Sequence, residues 1–260
     1  MDPDDVKVAR IRDIYLSKEA SLEALAGACL ESMKGHVNNF VHDALVGSRT
    51  AEVDVFSYRV PVSLEDGACS ASKDLDPTPF DLASFLSISS DASLRSRASE
   101  SLSRLYWLVG QLMTRTRVDW LGVYALVRPA SPAEPFLVKL AYSGRPSRAI
   151  FPLNDLYKSI SNNSWSTMEG KPRLIQAVRT YDGPYYACDA NVNSELCVPL
   201  LDSEGRVVGL VDAEAFGENH FTPERVVEIL AACSDLGLAH EAFFKPINIH
   251  NSSIQTHEKP

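Results

Sequence analysis

The chain has 260 residues, 45% of them apolar and 23% charged, the balance of an ordinary globular protein with a buried core. Its formal net charge of −9 sets up a field that repels nucleic acid, which excludes a nucleic-acid surface as its main function. No segment approaches the roughly eighteen consecutive apolar residues of a spanning helix, and the acidic opening Met1-Asp-Pro-Asp-Asp5 has the wrong sign for a secretory or mitochondrial leader, so a cytoplasmic protein with no membrane partner is expected.

The first segment reads as helix, with Val8, Ile11 and Tyr15 at helical spacing. After Ser17 to Ser21 a second run places Leu22, Leu25, Cys29, Met33, Val37 and Val41 on one stripe that ends at Gly47. Such a stripe needs a partner, either the rest of the chain or the same helix of a second subunit, so a homodimer is one expectation. Residues 51–62 alternate as a strand, with Pro61 confining it to an edge. The stretch from Ser63 to Ser93 is rich in Ser, Asp and Pro and reads as a long loop with one turn of helix at Phe80 to Leu86.

Asp91 then reads as the N-cap of a helix over 92–114, with Leu94, Ala98, Leu105, Leu108 and Leu112 on its apolar face. Strand signals follow at 119–127, 136–142, 149–153 and 173–178, and then a hairpin at 194–201 and 206–214 around the turn Asp202-Ser-Glu-Gly205. Thr222-Pro223-Glu224 reads as a helix start, a capping hydroxyl with proline at the first helical position, and Val226, Ile229, Leu230, Cys233 and Leu236 form that helix's buried stripe. Helix, antiparallel strands and helix make an α+β fold. The expected organisation is a helical N-terminal extension and loop over 1–90, a main domain over 91–245, and a polar, disordered tail over 246–260.

The hairpin carries the chemistry. Glu195 and Cys197 share one face of their strand by period two, and Asp212 and Glu214 share a face of theirs with Leu210. If the strands pair through the turn, the acidic faces converge on one cavity, and carboxylates crowded there cannot all stay ionised. One should then hold its proton and be able to donate it. The bland alternative is a solvated sheet face, against which stand the strongly apolar flanks Leu196 to Leu200 and Val207 to Val211. Of the five cysteines, Cys29 and Cys233 lie on apolar stripes and read as core, Cys197 reads as a packed strand residue near the pocket, and Cys188 lies on a polar loop beside Asp189. An acidic neighbour raises a thiol pKa, so activation of Cys188 would have to come from Arg145, Arg148 or Arg173. An odd cysteine count without a Cys-x-x-Cys pair is no disulfide framework. The six histidines show no ligand spacing, so no metal site is expected, and no phosphate loop, nucleophile elbow or cyclic-nucleotide signature appears. Asn162-Asn-Ser and Asn251-Ser-Ser fit the glycosylation pattern only by chance.

Trp120-Leu-Gly-Val-Tyr124, Ala187-Cys-Asp-Ala190, Asn193-Ser-Glu195, Pro199-Leu200 and Gly209-Leu-Val-Asp212 resemble the GAF-fold free methionine-R-sulfoxide reductases over about residues 100–240. Cys188 and Glu195 are seven positions apart, and Trp120 and Tyr124 four, as in that family. The resemblance implies a GAF-like antiparallel sheet flanked by helices and a site that reduces free L-methionine (R)-S-oxide. Trp120 and Tyr124 would hold the methyl sulfoxide end, with Asp189 and Ser194 also in the binding loop. Glu195, Asp212 and Glu214 would bind the ammonium or protonate the sulfoxide oxygen, and Cys188 would be the redox thiol. The partners implied are free methionine sulfoxide or a similar small amino-acid ligand and a thiol reductant, glutathione or thioredoxin-like; no cofactor is implied.

The chain also departs from the family. Two usual cysteines are absent, from Ser147-Arg-Ala-Ile-Phe-Pro152 and from Ile160-Ser-Asn-Asn-Ser-Trp-Ser166, and the last family aspartate is Glu214. Two alternatives stay open. One is a non-catalytic GAF module that binds a small amino-acid-like ligand; the other is a thiol-independent enzyme using the same acidic pocket.

Overall fold

The computed structural model describes residues 3–33, 40–46, 51, 53–62, 74–129, 133–183, 185 and 189–247. The N-terminal run forms α1 (Pro3–Ile11), continued by a wider π-type turn at Arg12–Leu16, and then α2 (Ala20–Glu23), α3 (Ala26–Met33) and α4 (Phe40–Val46), short pieces instead of one long helix. Leu22, Cys29, Met33 and Val41 of the expected stripe are buried and Leu25 packs beside them. Val37 and Gly47 lie outside the described residues.

Asp54 accepts a hydrogen bond from the Phe56 amide (2.9 Å), a local turn that delays the expected strand at 51–62. Only β1 (Ser57–Tyr58) remains of it, paired with β2 (Phe80–Asp81), and a single bridge joins Pro61 to Leu75. Proline lacks the N–H that would extend the ladder. Asp81 then caps α5 (Leu82–Phe85) by accepting from the Ser84 amide. Residues 63–73, with Cys69, lie outside the described residues.

Helix α6 (Ala92–Thr116) starts at the Asp91 cap, whose carboxylate accepts from the Leu94 amide at 2.8 Å, and buries Ala98, Leu102, Leu105, Leu108 and Leu112. Then come β3 (Trp120–Val127), β4 (Phe136–Ser143), β5 (Ile150–Pro152), α7 (Asp155–Ile160), α8 (Asn162–Glu169), β6 (Arg173–Ile175), β7 (Ser194–Leu201), β8 (Val207–Ala215), α9 (Pro223–Leu238) and α10 (His240–Phe244). The strand expected at 173–178 is shorter because the chain turns into a 3-10 turn at Val178–Thr180. The Thr222 hydroxyl makes no capping bond to α9; it bonds the Glu224 carboxylate instead. Pro246 and Ile247 belong to a 3-10 turn with Ile247 buried, so the start of the expected tail packs on the core; residues 248–260 lie outside the described set.

Six strands form one antiparallel sheet in the order β5-β4-β3-β8-β7-β6. The fold is therefore α+β, a sheet flanked by helices with a helical N-terminal extension. Period two sorts the sheet's side chains onto two faces. Leu121, Val123, Leu196, Val198, Val211 and Ala213 enter the main core with α6 and α9, and the N-terminal helices complete that core. α1, α3 and α4 pack on α9 of the same chain, which gives the N-terminal stripe its partner. Tyr15 donates from its buried hydroxyl to the Pro199 carbonyl (3.0 Å), and Arg10 donates to the carbonyls of Leu201 and Asp202. Trp120, Tyr124, Leu126, Leu137, Phe151, Leu153, Cys197 and Leu210 form a second, smaller cluster on the opposite face. That face is covered by α8. Among the described residues no helix is long and apolar enough to cross a membrane.

Candidate functional site

The turn expected at Asp202 to Gly205 is built by the Asp202 carboxylate, which accepts from the amides of Glu204 and Arg206, while Gly205 takes the left-handed conformation at φ 77°. This turn fixes the register of β7 on β8. Glu195 stands opposite Glu214 and Cys197 opposite Asp212. On the far side of β8, Trp120 is opposite Glu214 and Gly122 opposite Asp212; on the far side of β7, Ile175 is opposite Glu195 and Arg173 opposite Cys197. Two rungs thus cross the sheet on one face: Trp120, Glu214, Glu195 and Ile175, then Gly122, Asp212, Cys197 and Arg173.

Gly122 is what lets the aromatic wall lie flat beside the acids. A Cβ at this position would come within 2.3 Å of the Trp120 six-membered ring, so only glycine leaves the indole room to cross the strand there. The indole N–H donates to the Arg145 carbonyl (2.9 Å), and the ring stacks on Tyr142 with centroids 6.2 Å apart. Tyr124 follows at 6.5 Å from Trp120 and meets the edge of Phe151. Both expected aromatic residues are buried on the acid-bearing face.

Helix α8 closes this face from above. Ser161 caps it, accepting from the Ser164 amide, and Gly170 ends it in the left-handed conformation. Its first two residues reach the acids: Asn162 donates to Glu195 Oε1 (2.8 Å) and Asn163 to Asp212 Oδ2 (3.0 Å). The Cys197 thiol lies 2.9 Å from Asn163 Oδ1, 3.0 Å from Glu195 Oε1 and 3.6 Å from Asp212 Oδ1, so one S–H proton has three acceptors around it. The Tyr185 hydroxyl also bonds Glu195.

Burial dominates the electrostatics. Glu195 is 4% exposed and Asp212 2%. Burial, and then the Glu195 charge, pushes Asp212 well above the ordinary carboxylate range against the opposing hydrogen bonds from Asn163 and Cys197. Glu195 is raised by burial too, although Cys197, Asn162, Tyr185 and the Arg173 charge pull it back. The pair titrates as a unit, with Asp212 raised further than Glu195. Burial, and then the charges of Asp212 and Glu195, holds the Cys197 thiol well above its usual value, so it is neither a nucleophile nor a ready resolving thiol. Tyr185 is raised by burial and by Glu195 and Glu214.

Donor atoms of Glu195, Cys197 and Asp212 lie within 4.8 Å of one another, a spacing that a divalent ion could bridge. The amide donors of Asn162 and Asn163 already occupy one oxygen of each carboxylate, Glu195 Oε1 and Asp212 Oδ2.

The remaining expected residues are placed elsewhere. Ser194 points to the opposite side of β7, its hydroxyl donating to the Gly217 carbonyl at 2.8 Å. Asp189 pairs with Arg145 (3.0 Å) and caps its own turn through Asn191. Arg148 lies over Phe151 and Tyr157. Cys188 lies outside the described residues, and Cys29 and Cys233 are buried in the main core. Sequence reading missed Asn162, Asn163 and Tyr185 and placed Cys197 as a packed strand residue near the pocket, where its thiol in fact bonds the site acids. The glycosylation-like Asn162 is 3% exposed and occupied with Glu195, in keeping with a chance match.

No protein-family model matches the chain, and no curated protein does. Solved structures do. The chain is similar to a type II free methionine-R-sulfoxide reductase from Thermoplasma acidophilum, at 19% identity over 56% of this chain and 95% of that one, with a TM-score of 0.47. It is also similar to a free methionine-R-sulfoxide reductase from Neisseria meningitidis solved in complex with its substrate, at 20% identity over 59% and 89% of the two chains with a TM-score of 0.45. A putative GAF sensor protein from Burkholderia vietnamiensis matches at 18% identity over 64% and 97%, with a TM-score of 0.44. Reductases and sensor-type domains thus stand side by side among the similar structures.

Proposed function

We propose that the acid-bearing face binds free L-methionine (R)-S-oxide and that the chain reduces it through Cys188. The observation that carries this reading is the juxtaposition, on adjacent rungs of one sheet face, of a buried carboxyl pushed well above its ordinary range, Asp212, with the Trp120 indole laid over Gly122. An apolar, polarisable wall suits the methyl and sulfur end of the ligand. The Glu195 and Glu214 carboxyls suit the ammonium, and the raised Asp212 carboxyl suits protonation of the departing oxygen.

The chemistry balances with an external thiol. Thiolate sulfur attacks the sulfoxide sulfur, the S–O oxygen is protonated and transferred, and methionine leaves with Cys188 as sulfenic acid. Two equivalents of a glutathione- or thioredoxin-like thiol then return Cys188 to the thiol, releasing water and a disulfide. The Cys197 environment supports an external reductant, because its proton is held by burial and by Glu195 and Asp212.

A second reading, a GAF module that binds the amino acid without turning it over, is favoured by α8. Asn162 and Asn163 occupy the segment in which the resembling family carries a cysteine, and their side chains are committed to the acids. Methionine formation from the R-sulfoxide in the presence of dithiothreitol, compared between the native chain and Cys188→Ser, separates the two. Turnover lost in the variant with binding retained supports the reductase. Binding without turnover in both proteins supports the module, and turnover unchanged in the variant overturns the role of Cys188.

A further inference from the structure

Arg173 is a charged residue that the hairpin chemistry does not use. It stands on β6 opposite Cys197, 9% exposed, with its guanidinium carbon 3.3 Å from the centroid of the Trp165 ring on α8. Its Nη1 is buried and has no hydrogen-bond partner among the described residues. Glu195 and Glu169 feel its charge, yet neither makes an ion pair with it. Glu195 already holds Asn162 and Tyr185 and faces the Cys197 thiol. A buried guanidinium donor left unmatched is among the most costly arrangements a fold can keep.

Two further buried polar atoms without partners among the described residues lie on α8, Asn162 Oδ1 and Ser166 Oγ. They are four residues apart and so share one face of the helix, and the other end of the Asn162 amide already holds Glu195. The two elements packed on β7, β6 and α8, therefore carry a spare cationic donor, a spare hydroxyl and a spare acceptor, the last on the amide that holds Glu195.

We propose that Arg173 reads the carboxylate of a free α-amino acid. Its guanidinium, held flat on Trp165, donates to the carboxylate with Ser166 as second donor, while Asn162 Oδ1 and Glu195 take the neighbouring ammonium. A planar fork stacked on an aromatic ring is pre-organised for a carboxylate, and a single-charge anion adjoining an ammonium is the anionic group that the nearby acids tolerate. The inference rests on the reading that the ligand is a free amino acid, and it adds the residue that distinguishes a free acid from a peptide-bound residue, whose carboxyl is an amide.

Calorimetric titration of the native chain with methionine (R)-S-oxide, its primary amide and its N-acetyl derivative tests this, alongside Arg173→Lys and Arg173→Met. The native chain is expected to prefer the free acid over the amide by roughly ten- to a hundredfold, the value of a charge-assisted bidentate contact. In Arg173→Met that preference should collapse towards unity with the affinity for the amide unchanged, and Arg173→Lys should fall between. A merely structural arginine would weaken acid and amide in parallel, which overturns the proposal. Equal affinity of the native chain for acid and amide, with the N-acetyl compound rejected, also overturns it while the amino-acid reading stands, and needs no variant to fold. Failure of the native chain to bind any of the three removes the amino-acid reading and this inference together.

Discussion

Asp212→Asn should make the protein more stable relative to the native chain as pH rises. The carboxyl is 2% exposed, and burial followed by the Glu195 charge raises its folded pKa well above the unfolded value of about 3.9. Between those two values the folded state holds a proton that the unfolded chain has released. Raising pH therefore favours unfolding: the stabilising contribution is complete below the unfolded pKa and is lost as pH climbs through the folded one. One proton gives a slope of up to about 1.4 kcal/mol per pH unit between the unfolded and the folded pKa, stability that the native chain loses as pH rises and the variant keeps. Asparagine can still accept the hydrogen bond from Asn163, and any fixed cost at the Cys197 contact shifts every pH alike. Urea denaturation of both proteins at pH 5, 6 and 7 reads the difference directly. Parallel stability curves would refute the upward shift of the Asp212 pKa.

Gly122→Ala should displace the Trp120 indole, because the new methyl falls 2.3 Å from its ring; a loss of about 1–3 kcal/mol by urea titration with an altered near-ultraviolet spectrum is expected, and neither changing would contradict the packing described. Glu195→Gln should weaken ligand binding by roughly ten- to a hundredfold by calorimetry, the value of one charge-assisted contact, and an unchanged affinity would mean the ligand does not use this acid. Stoichiometric methionine sulfoxide should leave Cys188 trappable by dimedone. A rapid Cys188–Cys197 disulfide seen by mass spectrometry would contradict the view that Cys197 is held protonated and packed.

How much of this could be read in the sequence follows from where each element's neighbours lie. The β7–β8 hairpin was legible because period-two alternation, apolar flanks and the Asp202–Gly205 turn all agree, and the register then sets Glu195 against Glu214 and Cys197 against Asp212. α6 and α9 were legible because each carries an apolar stripe against the main core. α8 was not. Its inward face, Asn162, Asn163, Ser166 and Thr167, is buried against polar site groups, so no hydrophobic period marks it, and the residues that hold both acids in place went unseen. The N-terminal stripe was read correctly as buried, but its partner α9 lies some 190 residues away in sequence, a distance that no local pattern reports. The strand at 51–62 failed for local reasons that outweighed its alternation, the Asp54 turn at one end and Pro61 at the other.

The central claim is that this acid-bearing face serves the R epimer of free methionine sulfoxide. The most direct measurement is the initial rate of methionine formation by the native chain with dithiothreitol and each sulfoxide epimer in turn. Turnover of the R epimer with none of the S epimer above background is the expected result. Equal turnover of both, or none of either, would contradict the account.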